Sequence, residues 1–349
     1  MIKEDFRVKE VRGLWRRWLN ARREWENQAR EDIDFYLGNH YSEAENDELE
    51  ARNQSNVPLD RLYSAIEQFK AIITSKPPKF SAVGREDSDN NLANVWKTLL
   101  EYIWDISDGN EVFKQVVHDY AVTGLGYFYA YIDMEDDYGR GEVKFTYVDP
   151  FRVVIDPNAR NKWFDDANGM MLSTILTKLQ LLDLYPQLKE ETEEGKMLID
   201  EVEGYNEGET FPSNVNKRTV GSFTPDYIKD LDHGEGSQKY QLIEYFSKIK
   251  VPYYRIMNME TQEERIVDKA TMSSFITEPD VMKAVEKGMI DVLEVQQTRI
   301  KLTCTLGQIV LYERILDTDK YPIVPVPNIW TNTPYPMSDV RKNKDFQRF

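Results

Sequence analysis

The sequence predicts an α+β fold, in which a helical N-terminal part packs on antiparallel β hairpins and a meander. Three observations carry this expectation. The first 122 residues hold four stretches whose apolar residues recur at three- and four-residue spacing, the period of an amphipathic helix. At Thr123-Gly124-Leu125-Gly126 that period breaks, and the aromatic and β-branched runs beyond it are separated by short polar turns. The chain has 349 residues, 41% hydrophobic and 12% aromatic, enough to bury a real core in two or three packed units.

Phe6 to Phe35 reads as one long helix with Val8, Val11, Trp15, Trp18, Leu19, Trp25 and Ile33 on its apolar side. Its polar face carries Arg7, Lys9, Arg12, Arg16, Arg17, Arg22, Arg23 and Arg30, the basic region of a chain whose net charge is -17. The plainer reading is a docking helix with a solvated or ion-paired face. The sharper one makes Arg12, Trp15, Arg16, Arg17, Trp18, Arg22 and Arg23 a contact with an acidic neighbouring subunit or with nucleic acid. Gly38 ends this helix, and Ser42 to Ser55 reads as an acidic, polar loop. After Asn56-Val57-Pro58, a second helix spans Leu59 to Ser75, with Leu62, Ile66, Phe69, Ile72 and Ile73 on one face, and Lys76-Pro77-Pro78 stops it. Lys79 to Val83 fits a short strand. Asn91 to Ile106 is a further helix, with Leu92, Val95, Trp96, Leu99, Leu100, Ile103 and Trp104 expected to face inward.

The stretch from Phe113 to Pro157 organises the middle of the chain. A helix to Val122 meets Gly124-Leu125-Gly126, then Tyr127 to Ile132 reads as a buried strand and Glu142 to Val148 as its hairpin return. Asp149-Pro150 and Asp156-Pro157 bracket one more strand, because proline lacks an amide donor and pushes the preceding residue out of helical geometry. Gly124, Gly126, Asp149, Pro150, Asp156 and Pro157 are thus expected to form a structural elbow. The glycines follow a helix and precede a strand, the reverse of a phosphate-binding loop, so they read as a left-handed helix terminus.

Met170 to Leu182 reads as a strand entering a helix that Thr177 can cap. Residues 187–238, rich in Glu, Gly, Asn and Ser, read as a polar flexible insertion. Tyr240 to Lys248 and Val251 to Met259 look like paired strands, and Glu278 to Lys287 like a short helix. Asp291 to Thr305 and Gln308 to Leu316 form a long hairpin turning at Leu306-Gly307. Tyr321 to Pro327 is proline-spaced and unsuited to a central strand.

One ordered series stands out: the Trp/Arg-rich helix ending Asp32-Ile33-Asp34-Phe35-Tyr36-Leu37-Gly38-Asn39-His40-Tyr41, then Asn56-Val57-Pro58 and Lys76-Pro77-Pro78. Asp119 to Gly126 with its strand, Val148-Asp149-Pro150-Phe151, Ile155-Asp156-Pro157 and Asp165-Asp166-Ala167 complete it. This series resembles the N-terminal half of the portal proteins of tailed bacteriophages, in particular the large portals of short-tailed phages. The resemblance divides the chain into a helical wing region (1–112), a helix plus β-meander (113–186), the insertion (187–238), an antiparallel β region with a short helix (239–332) and a lead-in to a stem helix (333–349). It implies a homo-oligomeric ring, a dodecamer, at one capsid vertex of the virion, assembled in the host cytoplasm. DNA would be packaged and ejected through it, and the major capsid protein, the terminase large subunit and a tail adaptor or head-completion protein would dock on it. Stem, clip, tunnel loop and crown would follow Pro334-Tyr335-Pro336-Met337-Ser338-Asp339-Val340 and are absent here, so the chain reads as the wing.

Other functions find less support. Net acidity disfavours broad contact with a phosphate backbone, although the basic helix leaves a nucleic-acid-binding adaptor as the alternative. Cys304 is the sole cysteine, and His40, His118 and His233 have no metal-type spacing, so no cofactor or metal is expected. No apolar run approaches the roughly 20 residues of a membrane helix, so no membrane partner is expected, and the absence of a signal peptide points to a place inside a cell. Asp133, Glu135, Asp136 and Asp137, with Asp165 and Asp166, suit a hard cation, but the first group occupies a turn that favours aspartate for backbone reasons. No lysine or histidine is expected beside it in a catalytic pattern, and no catalytic residue is assigned.

Overall fold

In the computed structural model, which describes residues 5–41, 43–55, 60–84, 89–191, 197–204, 238–259, 264–277 and 289–347, the chain is built along helix α1 (Phe6–Tyr36). Asp5 starts α1 by accepting a hydrogen bond from the Arg7 amide at 2.9 Å. Val11, Trp15 and Trp18 pack against Val154, Met171 and Ile243. Further along, Trp25 and Ala29 enter the largest apolar cluster, and Phe35 and Tyr36 enter a third. One helix therefore ties three hydrophobic clusters together.

Four more helices precede the first strand. α2 (Glu43–Ala51) lies within the run read as an acidic loop; its Ala, Glu and Leu residues are strong helix formers and outweigh the charge. α3 (Arg61–Thr74) is capped by Asp60, which accepts from the Tyr63 amide at 3.0 Å. It buries Leu62 and Ile66 but leaves Ile72 and Ile73 exposed, a departure from the single inward face expected. Lys79 to Val83 forms no strand, and Val83 is exposed. α4 (Asn90–Ile106) has no fully buried residue: Leu92, Val95, Trp96, Leu99 and Leu100, expected inward, are exposed, while Ile103 and Trp104 are half-buried. α5 (Gly109–Val122) buries Val112, Val116, Val117, Ala121 and Val122.

Two antiparallel sheets follow. β1 (Leu125–Asp133) and β2 (Glu142–Val148) form the expected hairpin, and β9 (Ile323–Pro327) adds to the open side of β1, giving the order β2-β1-β9. The prolines of β9 thus sit on an edge, where a missing amide does least harm. β3 (Val153–Ile155) leaves this sheet, so the expected meander is split. A single 3-10 turn at Pro150–Arg152 redirects the chain, and β3 pairs with β4 (Gly169–Thr177) instead.

The second sheet has the order β3-β4-β5 (Lys239–Asn258)-β7 (Ile290–Leu306)-β8 (Ile309–Leu316), with β6 (Glu264–Asp268) off the path on β5. β5 is one continuous strand rather than two paired ones, and β7 pairs with it from Leu242↔Leu306 to Asn258↔Ile290. Pro252 interrupts nothing, because it falls where β5 lacks a second neighbour: β4 pairs through Ser247, and β6 begins at Tyr253. β8 returns from β7 through Gly307, whose φ is +53°. α7 (Lys269–Thr277) follows β6, and the expected helix at Glu278 to Lys287 lies outside the described residues.

α6 (Lys178–Leu184) begins with a reciprocal cap between Thr177 and Gln180. Beyond it, Leu188, Ile199 and Val202 are buried with Tyr240, Leu242 and Leu306. These described ends of the 187–238 segment are core, not flexible insertion, because their apolar side chains cover the β5–β7 ladder; 205–237 lies outside the described residues. The chain closes with α8 (Asp339–Gln347). No helix among the described residues is long and apolar enough to cross a membrane.

Candidate assembly site

The basic face of α1 is smaller than the sequence suggested. Arg16, Arg17 and Arg23 are exposed and make no ion pair among the described residues. Arg12 reaches Glu203 at 2.6 Å. Trp15 and Trp18 are buried against the second sheet, so their expected role as contact residues is corrected: their rings are part of the core. Trp18 meets Tyr245 edge to face, with centroids 6.1 Å apart.

Arg22 is the larger correction, since only 1% of its surface is exposed. Its Nη1 donates to the carbonyls of Phe151 and Val153, each at 2.8 Å, and its Nη2 pairs with Glu26 at 2.9 Å. Glu26 also holds Arg30 at 2.8 Å, and the Arg30 guanidinium lies 4.7 Å from the centre of the Phe151 ring. A guanidinium with several directed donors can satisfy these acceptors where an apolar side chain would leave them unpaired. Its burial was legible: position 22 continues the spacing of Val11, Trp15, Trp18, Trp25 and Ala29, with Glu26 one turn on.

Arg22 thereby fastens α1 to the elbow. There, Asp149 accepts from the Phe151 amide at 2.8 Å, with Pro150 opening the 3-10 turn. Burial raises the Asp149 carboxyl above the usual range, against that hydrogen bond and the nearby Arg152, Arg22 and Arg30. Burial also pushes Asp156 upward, but bonds from Asn158 (3.0 Å) and Asn168 (2.7 Å from Nδ2) outweigh it and hold the carboxyl below its ordinary value. Pro157 follows and offers its carbonyl to Arg160 at 2.8 Å.

The two glycines act differently. Gly124 has φ +87°, the left-handed terminus expected after α5, and a Cβ there would lie 2.7 Å from the Met337 carbonyl carbon. Gly126 is ordinary in φ but passes so close to α5 that a Cβ would meet the Val116 carbonyl oxygen at 2.5 Å. The segment before α8 docks here: the Asn328 amide donates to the Gly124 carbonyl at 2.9 Å, and its Nδ2 to Tyr120 O at 3.1 Å and Asp339 at 2.8 Å. On its other side, buried Asp32 of α1 accepts from Ser338 at 2.7 Å and pairs with Arg341 at 3.2 Å. Burial raises the Asp32 carboxyl even so. The junction of α1, α5 and α8 is thus held by groups from all three.

α4 presents the opposite situation. Leu92, Val95, Trp96, Leu99, Leu100 and Tyr102 are all exposed, Trp96 to 53%. The helix is attached at its C-terminal end, where Trp104 lies among Phe80, Phe113 and Phe145 with ring centroids 5.5, 6.2 and 5.3 Å away. Tyr102 donates to Glu142 of β2 at 2.9 Å. Helical periodicity located the stripe correctly, but it says only that a face is apolar, not what covers it.

The acidic turn after β1 is neutralised rather than poised for a cation. The lysine beside it is an ion-pair partner: Lys144 pairs with Asp133 at 3.0 Å and with Asp136. Asp166 accepts from the Arg160 and Asn161 amides at 2.6 and 3.0 Å, and Asp165 pairs with Lys320 at 2.7 Å. Among the described residues no group of three or more His, Cys, Asp or Glu side chains is arranged to hold a metal.

Compared with known proteins, residues 12–349 match a family model described as phage P22-like portal protein. No curated protein matches the sequence.

Proposed function

The chain belongs to the phage P22-like portal protein family, a family of structural proteins rather than enzymes, and from that premise we propose that it is a subunit of a closed ring at one vertex of a phage capsid. The match across residues 12–349 is the observation that carries this reading. The ring is a dodecamer that conducts double-stranded DNA during packaging and ejection. The terminase large subunit, the major capsid protein and a tail adaptor or head-completion protein dock on it, and it assembles in the host cytoplasm. Residues 333–347 are held on α1 by Asp32 and on α5 through Asn328, and in this reading they correspond to the lead-in of the stem helix.

Electrostatics supports a conduit. A duplex must slide, and each lysine or arginine paired with phosphate adds affinity through counterion release. A subunit of net charge -17 offers little such grip. The same consideration weakens the nucleic-acid adaptor, because burial of Trp15, Trp18 and Arg22 takes the aromatic surface and one cation out of the supposed contact. Native mass spectrometry with electron-microscopy class averages tests the proposal: rings with a central hole are expected, and a chain monomeric at every concentration would overturn it.

A further inference from the structure

Six large apolar side chains stand exposed within eleven residues of α4, whereas no other element among the described residues exposes more than three. Soluble chains that work alone rarely leave so continuous an apolar stripe in water. The stripe from Leu92 to Tyr102 is about 15 Å long, at the 1.5 Å rise of a helix. A second uncovered face of different shape lies on the arm made by β6 and the distal halves of β5 and β7. There Ile266, Arg255 and Leu293 form one cross-strand row, and Ile266 and Leu293 are exposed. Ile256, which points to the other side of the same arm, is buried.

These two faces have the relation a ring demands. A contact in which a patch meets its own copy closes at two subunits, whereas a closed ring is built from two unlike patches, each subunit offering one to either neighbour. Among the described residues the chain carries one uncovered apolar helical stripe and one uncovered strand row in which exposed Ile266 and Leu293 flank Arg255, itself paired with Glu264. We propose that α4 of one copy docks on the arm of the next copy, across the Ile266–Arg255–Leu293 row, and that this contact holds the ring together. The inference rests on the ring reading and names the surfaces that reading leaves open.

Cysteine trapping in the full chain tests it. The native Cys304 is buried, so introduced thiols report alone. A Leu99→Cys, Leu293→Cys double variant is expected to give a ladder of disulfide-linked oligomers on non-reducing denaturing gels, and neither single variant any. Linked dimers from Leu99→Cys alone would show self-pairing of α4 and overturn the inference. A Trp96→Glu, Leu99→Glu variant should lose at least tenfold of its rings at equal concentration while keeping its melting temperature, since both side chains are exposed in the subunit. Hydrogen exchange of 90–106 should slow in wild-type rings. Rings with unslowed α4, or α4 protected only by a different protein, would overturn this inference alone, whereas an absence of wild-type rings would overturn the ring reading as well.

Discussion

Arg22 shows how one side chain can decide where a helix lies. It sits in the core with three acceptors, two of them carbonyls of the elbow, and its charge is met by Glu26. Removing one partner of a buried pair costs roughly 3–5 kcal/mol, because the other is left unpaired. Arg22→Ala is therefore expected to lower the denaturation free energy by about that much, while Arg16→Glu or Arg17→Glu, on the exposed face, should change it by less than ~0.5 kcal/mol. A denaturant titration of the three variants separates a core arginine from surface ones. Asp119 is a second buried charge. It accepts from the Tyr147 hydroxyl, and burial pushes its carboxyl up to about 7, with Asp149 adding to the rise while Tyr147 and Lys70 oppose it. The folded value exceeds the ordinary 3.8, so the fold is penalised above pH 7, and the penalty fades as pH falls toward 4. Asp119→Asn should then unfold at a higher temperature than wild type at pH 8.5, with the gain largely gone at pH 5. An equal shift at both pH values would refute the assignment.

Between residues and the whole lie the elements, and what could be read of them in advance depended on whether the cause was local. The elbow was legible because left-handed geometry at Gly124 and the capping turns at Asp149 and Asp156 are properties of a few adjacent residues. Arg22 was legible in spacing but hidden by its chemistry, one arginine among seven on the same helix. β5 was misread as two strands with a break at Ile249-Lys250, and only its unbroken register with β7, a partner distant in sequence, shows that it continues. The outward face of α4 was illegible in principle, since periodicity cannot distinguish a core from a neighbour. The local causes also predict consequences beyond themselves. Gly124→Ala must enter φ +87° and push its Cβ against Met337, so both strain and displacement follow. A loss of about 1–3 kcal/mol is expected. Faster hydrogen exchange in 337–347, with α3 and β5 unchanged, would place the damage at the docking of α8; uniform acceleration would argue against that local role.

At the scale of the whole molecule two kinds of contact compete, and salt separates them. Each subunit carries net charge -17, so neighbouring copies repel over distances set by the screening length. That length is about 30 Å at 0.01 M salt, about 10 Å at 0.1 M and about 3 Å at 1 M. In the most dilute salt, repulsion between entire subunits should therefore disfavour rings. Near 0.1 M only charges at a contact remain effective, and there Arg16→Glu, Arg17→Glu should form fewer rings than wild type if this face of α1 meets an acidic surface next door. At 1 M even those pairs are screened, whereas burial of the α4 stripe is not weakened by screening. The arginine variant should accordingly regain wild-type assembly at 1 M, and the Trp96→Glu, Leu99→Glu variant should stay defective at every salt concentration. Sedimentation velocity across this range reads both. An arginine variant that assembles like wild type at 0.1 M removes α1 from the interface, and an α4 variant rescued by salt would mean that the stripe is not the surface on which the ring closes.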